Sequence, residues 1–286
     1  MPSYLIRVPD HLGDGVMAIP AVRAIACLGP TVVSGPAWAS RMYGLQNEPH
    51  HAADVGVLLK PSFSAAWSHR RLPKRVGHPG DWRRWLLTDP VDAVDGHRGR
   101  TYDQLAEAVG GEVSALPLFS ASPEERSRAP RLPEGAVLLL PLSRSQATVG
   151  WPHYRRLADR LGDRAVFAAG PGECETLGEI AGSHRRLTPL PLGEFAAVAV
   201  QAEAVVGNDS GLAHLAQAAR RAAGLVPSTV HVIFGSTDPS RTGPPGCTAH
   251  TAPPLPCAPC YKKRCALGHQ APPCLDVSVD AVMAAL

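Results

Sequence analysis

The chain has 286 residues, of which 45% are hydrophobic and 19% charged, and its formal net charge is +3. This length suits two domains of ordinary size better than a single hydrophobic core. The small net charge argues against a nucleic-acid partner, because proteins that track phosphates usually carry a clear cationic excess. The first residues lack the pattern of a signal peptide and no apolar run reaches ~18 residues, which predicts a cytoplasmic protein without a membrane span.

Segments with strand and helix patterns alternate along the first part of the chain. Short apolar runs that predict β-strands occupy residues 4–8, 31–33 and 55–59. The turn Gly13-Asp14-Gly15 follows the first run, and apolar residues at helical spacing then predict a helix over residues 16–28. The charged, proline-rich stretch 121–133 has no periodic apolar face, so it is predicted to be a linker.

The same alternation begins again after this stretch. Strands are predicted at residues 136–140, 165–169, 204–207 and 229–235, and helices at 152–161, 173–181 and 211–223. Successive β-α-β units of this kind indicate parallel sheets covered by helices. The sequence therefore predicts an α/β fold of two Rossmann-like domains facing a central cleft, with boundaries 1–128 and 129–286.

The turn after the predicted strand 204–207 carries the strongest chemical signal. It reads Asn208-Asp209-Ser210-Gly211-Leu212-Ala213-His214 and leads into a helix. A helix N-terminus has unpaired N–H groups and about half a positive charge, which suits a diphosphate. Asp209 and Ser210 are also good N-cap residues, so a purely structural turn is the alternative. His214, one helical turn further on, is predicted to face the same anion.

A second candidate site follows the first predicted strand. The segment His11-Leu12-Gly13-Asp14-Gly15 lacks the glycine spacing of a dinucleotide-binding fingerprint. Asp14 is nevertheless placed at the carboxyl end of a parallel strand, where α/β sheets bind ligands. A carboxylate there is able to deprotonate an attacking hydroxyl as a general base. The structural alternative makes Asp14 a helix N-cap.

Together these segments resemble glycosyltransferase family 9, the bacterial heptosyltransferases, and most closely the lipopolysaccharide heptosyltransferase II branch. The resemblance runs nearly end to end, through five motifs in the same order. They are Gly13-Asp14 with residues 19–24, residues 72–77 with 84–89, residues 208–214, residues 234–239, and the tail 256–269.

This resemblance implies a GT-B fold and an inverting, metal-independent transfer of heptose from ADP-heptose to a saccharide or lipopolysaccharide-core acceptor, with no cofactor. The general base would be Asp14. The N-terminal domain would bind the acceptor and the C-terminal domain the sugar nucleotide. The donor residues would be Ser210, Gly211 and His214 at the diphosphate, Asp209 ordering the loop, and Glu173, or Glu175 with a different gap placement, at the nucleoside.

One motif departs from the family pattern. Family members commonly carry a Lys-Arg-Trp-Pro run that places a cation against the leaving diphosphate, whereas this chain reads Val149-Gly150-Trp151-Pro152. Losing a charge-assisted phosphate contact costs transition-state stabilisation. Arg144, earlier in the same loop, is the hypothetical substitute, and Ser143 beside it is also assigned to the donor site.

Residues 69–85 form the most cationic region, and aromatic residues are interleaved with its arginines. Arg75 and Arg84 are the predicted contacts to an anionic acceptor such as a phosphorylated, lipid-linked core sugar. The structural alternative is a solvated loop whose arginine stems pack on tryptophan. The positive charge suits a small anionic acceptor and at most peripheral contact with the inner face of the membrane.

The tail contains a cysteine cluster, Cys257-x2-Cys260-x4-Cys265-x8-Cys274, with His269 inside it. Four cysteines with one CxxC pair are able to close a tetrahedral zinc site, although the second half lacks that spacing. The resemblance offers the other interpretation, in which such cysteines recur in the family without a catalytic role. No catalytic metal is predicted.

Three other functions remain open. They are glycosyl transfer to a small metabolite, a sugar-nucleotide epimerase on the same fold, and a non-catalytic sugar-nucleotide-binding protein. The loss of the Lys-Arg pair is the best argument for the last of these.

Overall fold

A computed structural model describes residues 1–49, 51–113, 116–143, 150–262, 264–269 and 272–286. The chain forms two compact units, unit 1 from Met1 to Pro117 and unit 2 from Leu118 to Leu286. This division lies before residue 128, where the sequence places the boundary. The reason is that Phe119 is buried in unit 2, where its backbone N–H donates to the Ala218 carbonyl at 3.3 Å.

The described part of unit 1 contains a five-stranded parallel sheet. Its strands are β1 (Tyr4–Arg7), β2 (Thr31–Ser34), β3 (Val55–Leu58), β4 (Lys74–Gly77) and β5 (Asp89–Pro90). They are ordered β2-β1-β3-β4-β5, and Tyr4 is in register with both Thr31 and Val55. The order changes direction at β1, so the carboxyl ends of β1 and β3 form the switch point where such sheets bind ligands.

Short helices connect these strands. They are α1 (Leu12–Met17), α2 (Ile19–Ala26), α3 (Ala39–Tyr43), α4 (Phe63–Ser68) and α5 (Arg98–Glu107). The prediction of one helix over residues 16–28 is therefore wrong. Pro20 has no N–H with which to continue α1, and it lies in the first turn of α2, where no such donor is needed. The core of unit 1 forms where α2 and α5 pack on the sheet, around Ile6, Val57 and Leu105.

Unit 2 contains a second parallel sheet, with six strands among its described residues. They are β6 (Val137–Leu140), β7 (Ala165–Phe167), β8 (Arg185–Arg186), β9 (Ala204–Asn208), β10 (Val230–Phe234) and β11 (Thr248–Thr251). The order β11-β10-β9-β6-β7-β8 is that of the Rossmann fold and confirms the predicted fold class. Its switch point lies between β6 and β9. The short strands β8 and β11 lack long apolar runs, and the sequence does not predict them.

Helices cover this sheet. They are α6 (Pro123–Arg128), α7 (Tyr154–Leu161), α8 (Cys174–Ala181), α9 (Leu192–Gln201), α10 (Gly211–Ala222), α11 (Pro239–Thr242) and α12 (Val279–Ala285). The core gathers strand residues such as Leu139 and Val206 under α7, with Val282 of α12 packed against them. Within the described ranges, no helix combines the length and apolar character needed to cross a membrane.

The prediction that residues 121–133 form a linker is wrong, because they contain α6. The backbone N–H of Glu125 donates to Ser122 Oγ at 3.2 Å, and the Ser122 N–H donates to Glu125 Oε2 at 2.7 Å. This capping box has an S-x-x-E signature that is present in the sequence. The helix shows no apolar stripe because it packs on α9 through Glu125, close to Gly193.

Candidate functional site

The predicted donor turn lies at the switch point of unit 2. β9 ends at Asn208 and α10 begins at Gly211, so the predicted strand, turn and helix are confirmed. Ser210 is the N-cap, and its Oγ accepts the N–H of Ala213 at 3.3 Å. A cap satisfies only one of the four unpaired N–H groups of a helix's first turn. The structural interpretation of Ser210 is therefore compatible with an anion at the same helix end.

Asn208 joins this turn to the neighbouring strand. Its side chain is fully buried, and Nδ2 donates to the Pro141 carbonyl at 2.6 Å. Oδ1 accepts the Trp151 N–H at 3.3 Å and the Tyr154 hydroxyl at 3.2 Å. Asn208 thus connects the end of β9 to both sides of the loop after β6. This role of Asn208 is not predicted above, although an amide residue at the end of an apolar strand is a sequence feature that could indicate it.

Asp209 connects the turn to the segment after β10. Its Oδ2 accepts the hydroxyls of Thr237 at 2.8 Å and Thr242 at 3.1 Å. Its Oδ1 lies 3.7 Å from His214 Nε2. The two threonines were not predicted as site residues, because nothing in their spacing relates them to a carboxylate 28 and 33 residues earlier. These contacts hold the turn against the segment after β10, and the loop-ordering role of Asp209 in donor binding stays a prediction.

Two further side chains lie beside Asp209. His214 is 4% exposed, and its imidazole lies beside the Asp209 carboxylate. The direct contact of His214 with a diphosphate stays a prediction. Burial, together with the Asp209 charge, raises the pKa of the Cys247 thiol to about 11. The thiol is therefore neutral near pH 7.

The other predicted donor residues belong to loops that follow β6 and β7. Ser143 is buried and donates from Oγ to the Asp209 carbonyl at 3.1 Å, so the structure brings it to the turn. Arg144 lies outside the described residues. Glu173 precedes α8, and its Oε2 accepts the Gly170 N–H at 2.7 Å, whereas Glu175 is exposed in the first turn of α8. Which of the two glutamates meets a nucleoside stays a prediction.

Asp14 lies at the switch point of unit 1, in the first turn of α1. The N-cap of α1 is His11, so the alternative that Asp14 caps the helix is wrong. The Asp14 side chain is 15% exposed, and its Oδ1 lies 3.3 Å from Nη1 of Arg98 on α5. The neighbouring position 15 requires glycine for a structural reason, because a Cβ there would lie 2.3 Å from the Trp38 ring.

Tyr102, one turn after Arg98 on α5, is buried with its phenol close to the Asp14 carboxylate. Burial, and then the Asp14 charge, raises the pKa of Tyr102 well above its ordinary value, so the phenol keeps its proton near pH 7. The sequence analysis missed Arg98 and Tyr102. Their i, i+4 spacing on one helix is the only local signal, and it does not point to Asp14.

The two predicted acceptor residues have different surroundings. Arg75 is on β4, where its guanidinium donates to the carbonyls of Leu86, Leu72 and Pro73. Arg84 is 67% exposed, and its Nη1 lies 3.8 Å from Asp92 Oδ1. Arg84 is therefore the more accessible cation, and the acceptor role of both residues stays a prediction.

The tail cysteines gather around one cavity of about 370 Å³ in unit 2. Cys257, Cys260, Cys265 and Cys274 line it together with His269. Among the residues that the structure describes, no group of three or more His, Cys, Asp or Glu side chains has a metal-binding arrangement. The zinc hypothesis stays a prediction. The backbone N–H groups of Cys260 and Tyr261 both donate to the Ser236 carbonyl, next to Thr237.

Solved structures share this architecture. E. coli ADP-heptose lipopolysaccharide heptosyltransferase II superposes with a TM-score of 0.75 at 20% identity, covering 100% of this chain and 97% of that chain. The E. coli heptosyltransferase WaaC, solved with ADP, gives 0.72 at 15% identity, covering 99% and 98%. A family 9 glycosyltransferase of Veillonella parvula gives 0.71 at 17%, covering 99% and 95%. These likenesses define the class of fold as GT-B.

Sequence similarity gives the family. The model of glycosyltransferase family 9 (heptosyltransferase) matches residues 50–271, so the chain belongs to that family. Lipopolysaccharide heptosyltransferase 1 of Pseudomonas aeruginosa is 36% identical over 128 residues, which cover 41% of this chain and 34% of the relative. The match therefore spans about a third of that curated relative's length. The predicted family resemblance is confirmed.

Proposed function

We propose that this chain is an inverting glycosyltransferase that moves heptose from ADP-heptose to a hydroxyl of a saccharide or lipopolysaccharide-core acceptor. The observation that carries the proposal is the donor turn of unit 2. There a twelve-residue helix starts at a strand end fixed by a buried hydrogen bond of Asn208 and a partly buried one of Asp209. Such a preformed helix N-terminus suits a leaving diphosphate, because its N–H groups need no rearrangement as negative charge develops.

Asp14 would act on the acceptor. Its carboxylate takes the proton of the acceptor hydroxyl while that oxygen forms a bond to the anomeric carbon of the sugar. The bond from that carbon to the diphosphate breaks, the bonding electrons leave with ADP, and the configuration inverts. The Arg98 guanidinium lies beside the Asp14 carboxylate and the buried phenol of Tyr102 lies close to it, so these two side chains would orient the base.

The donor end would work with less cationic help than is usual in the family. Val149 and Gly150 stand where relatives commonly carry Lys and Arg. We expect the helix N-terminus, His214 and Arg144 to share the stabilisation of the leaving group. If Arg144→Ala leaves both donor affinity and turnover unchanged, Arg144 is not the substitute. The cytoplasmic location expected from the sequence belongs to this proposal.

The test is a donor screen followed by turnover. ADP, UDP and GDP are titrated calorimetrically against the full chain and against Asp209→Asn, and we expect ADP to bind the unaltered chain most tightly. ADP-heptose is then incubated with and without heptose-free inner-core acceptors, and ADP release is measured. Transfer supports the proposal. An isomerised donor without acceptor identifies an epimerase, and tight binding without any turnover identifies a non-catalytic binding protein, which the loss of the Lys-Arg pair favours.

A further inference from the structure

Large aromatic side chains are exposed in one region of unit 1. Phe63 is 41%, Trp67 44%, Trp85 65% and Trp82 90% exposed. Three of the five tryptophans of the chain are in this group, which we call the aromatic patch. Single exposed apolar residues are ordinary, but a contiguous group of tryptophans on a surface marks a binding function.

Three rings of the aromatic patch, those of Phe63, Trp67 and Trp85, lie against one another. Phe63 and Trp67 are one turn apart on α4 and stack with ring centroids 6.1 Å apart. Trp85 touches both, at 6.2 Å from Phe63 and 6.3 Å from Trp67. Ala65 and Ala66 are buried on the other side of α4. The helix therefore buries its small residues in the protein and presents its large ones to solvent, the reverse of the usual arrangement.

Trp82 is held outward by a fixed loop. Asp81 and Trp82 have φ values of 45° and 59°, which non-glycine residues rarely adopt. The next residue, Arg83, is buried and donates to the His78 carbonyl at 2.7 Å and to Asp81 Oδ2 at 3.2 Å. A strained backbone needs surroundings that stabilise it. Here those contacts maintain a conformation in which the largest side chain type is almost fully exposed.

Cationic residues accompany the aromatic patch in the sequence. Residues 61–92 contain six arginines or lysines and three aspartates, which lie beside Arg83, Lys74 and Arg84, so the segment keeps an excess of three positive charges. The Arg70 guanidinium lies 4.3 Å from the centroid of the Trp67 ring. Arg71 and Arg84 are exposed nearby in sequence. The complementary partner is therefore a surface that accepts indole rings and carries many negative charges.

We propose that the aromatic patch docks unit 1 on an anionic phospholipid bilayer. Tryptophan concentrates at the boundary of headgroups and acyl chains, because its ring is apolar and its N–H is polar. Arginines beside it would pair with lipid phosphates, and each cation near an anionic membrane adds to binding. α4 follows the carboxyl end of β3, on the sheet edge where Asp14 lies. Docking would thus bring this sheet edge near lipid-linked molecules. Binding to the bilayer does not require the proposed glycosyl transfer.

The test measures binding of the full chain to vesicles. The chain is sedimented with vesicles of phosphatidylcholine alone, and with vesicles containing about 30% phosphatidylglycerol. We expect binding to the anionic vesicles, and we expect it to weaken as salt rises from about 50 to about 500 mM. Trp82→Ala/Trp85→Ala should lower the partition coefficient by about tenfold or more. Arg70→Ala should lower it by about fivefold.

Val226→Ala is the matched control, because Val226 is 62% exposed but belongs to unit 2, and its binding should equal that of the unaltered chain. Circular dichroism and the melting temperature check that each variant folds. Failure to bind anionic vesicles overturns the proposal, as does equal binding to both vesicle types or unchanged binding by the double variant. Light scattering separates one more outcome: a dimer that the double variant abolishes makes the patch a contact between two copies, which also overturns the proposal.

Discussion

The switch points of the two sheets have the same topology but different construction. In unit 2, Asn208 is fully buried and bonded to three groups, and Asp209 accepts two hydroxyls. In unit 1, Asp14 remains 15% exposed beside an arginine that is itself half exposed. A site that receives a diphosphate gains from dipoles fixed in advance, whereas a general base must exchange its proton with substrate and then with water. The buried, fully bonded side chains of the unit 2 edge and the partly exposed carboxylate of the unit 1 edge suit these two different roles.

The largest expected effect is on catalysis at the unit 1 edge. Asp14→Asn keeps the size of the side chain but removes the carboxylate, so we expect turnover to fall by a factor of about 10²–10⁴. Affinity for ADP, measured by calorimetry, should stay within about twofold, because that ligand is assigned to unit 2. Retained turnover would rule out Asp14 as the base, and a parallel loss of ADP binding would contradict the division between the units.

The largest expected effect on stability is at the unit 2 edge. Asn208→Ala leaves the Pro141 carbonyl and the Tyr154 hydroxyl without their buried partner, which should cost about 2–4 kcal/mol in the free energy of unfolding. Urea unfolding measures it. The matched control is Asn47→Ala in unit 1, whose amide bonds Gly35 and Pro36 but is only partly buried. We expect about 1 kcal/mol there, and equal costs would contradict the contrast.

A fall in pH should change the stability of the two units in opposite directions. Burial and the neighbouring His250 lower the pKa of His231 in unit 2 to about 4, below its ordinary 6.5. The unfolded chain then binds more protons than the folded chain between these values, so unit 2 loses stability as pH falls from about 6.5 to 4. Burial raises the pKa of Asp103 in unit 1 from 3.8 to about 6. There the folded state binds more protons, so unit 1 gains stability as pH falls from about 6 to 4.

Each of these shifts corresponds to roughly 3 kcal/mol at most. Urea unfolding at several pH values, on single-site variants, measures them. Asp103→Asn should stabilise the chain at pH 7, where the buried carboxylate has one oxygen without a hydrogen-bond partner among the described residues, and should have little effect at pH 4. His231→Gln should flatten the loss of stability below pH 6.5. If a variant has the same pH dependence of stability as the unaltered chain, the substituted residue does not cause that dependence.

How far the sequence predicts this contrast depends on which interactions are local. The turn at residues 208–214 is predictable, because a buried apolar strand, a capping serine and a small-residue helix follow one another directly. Asp14 is predictable for the same reason. The partners Thr237 and Tyr102 are not, since each meets its carboxylate only when distant segments fold together. Polar α6 and exposed Trp82 break the usual link between side-chain polarity and burial.

A smaller effect should follow from loosening the unit 2 turn. Thr237→Val keeps the shape of the side chain but removes the hydroxyl that donates to Asp209, leaving Thr242 as the remaining threonine donor. We expect ADP to bind about fivefold to tenfold more weakly, or about 1.0–1.4 kcal/mol, which is less than a full hydrogen bond to a charged group because Thr242 still donates to Asp209. Calorimetry measures it. Thr248→Val removes a hydroxyl bonded to the Ser228 carbonyl instead, and an equal loss of affinity in that control would assign the effect to general loosening.

The smallest expected effect is at the ion pair that holds Asp14. Arg98→Ala removes a half-exposed cation, and pairs of this kind contribute about 0.2–1 kcal/mol, so kcat/KM should fall by only about twofold to fivefold. KM for the donor should not change, because the donor is assigned to unit 2. Arg100→Ala is the matched control, because Arg100 lies on the same helix with the same exposure but pairs with Glu107. An equal fall in kcat/KM in the two variants would mean that Arg98 does not position the base, and Tyr102 would then remain as the assigned neighbour that holds it.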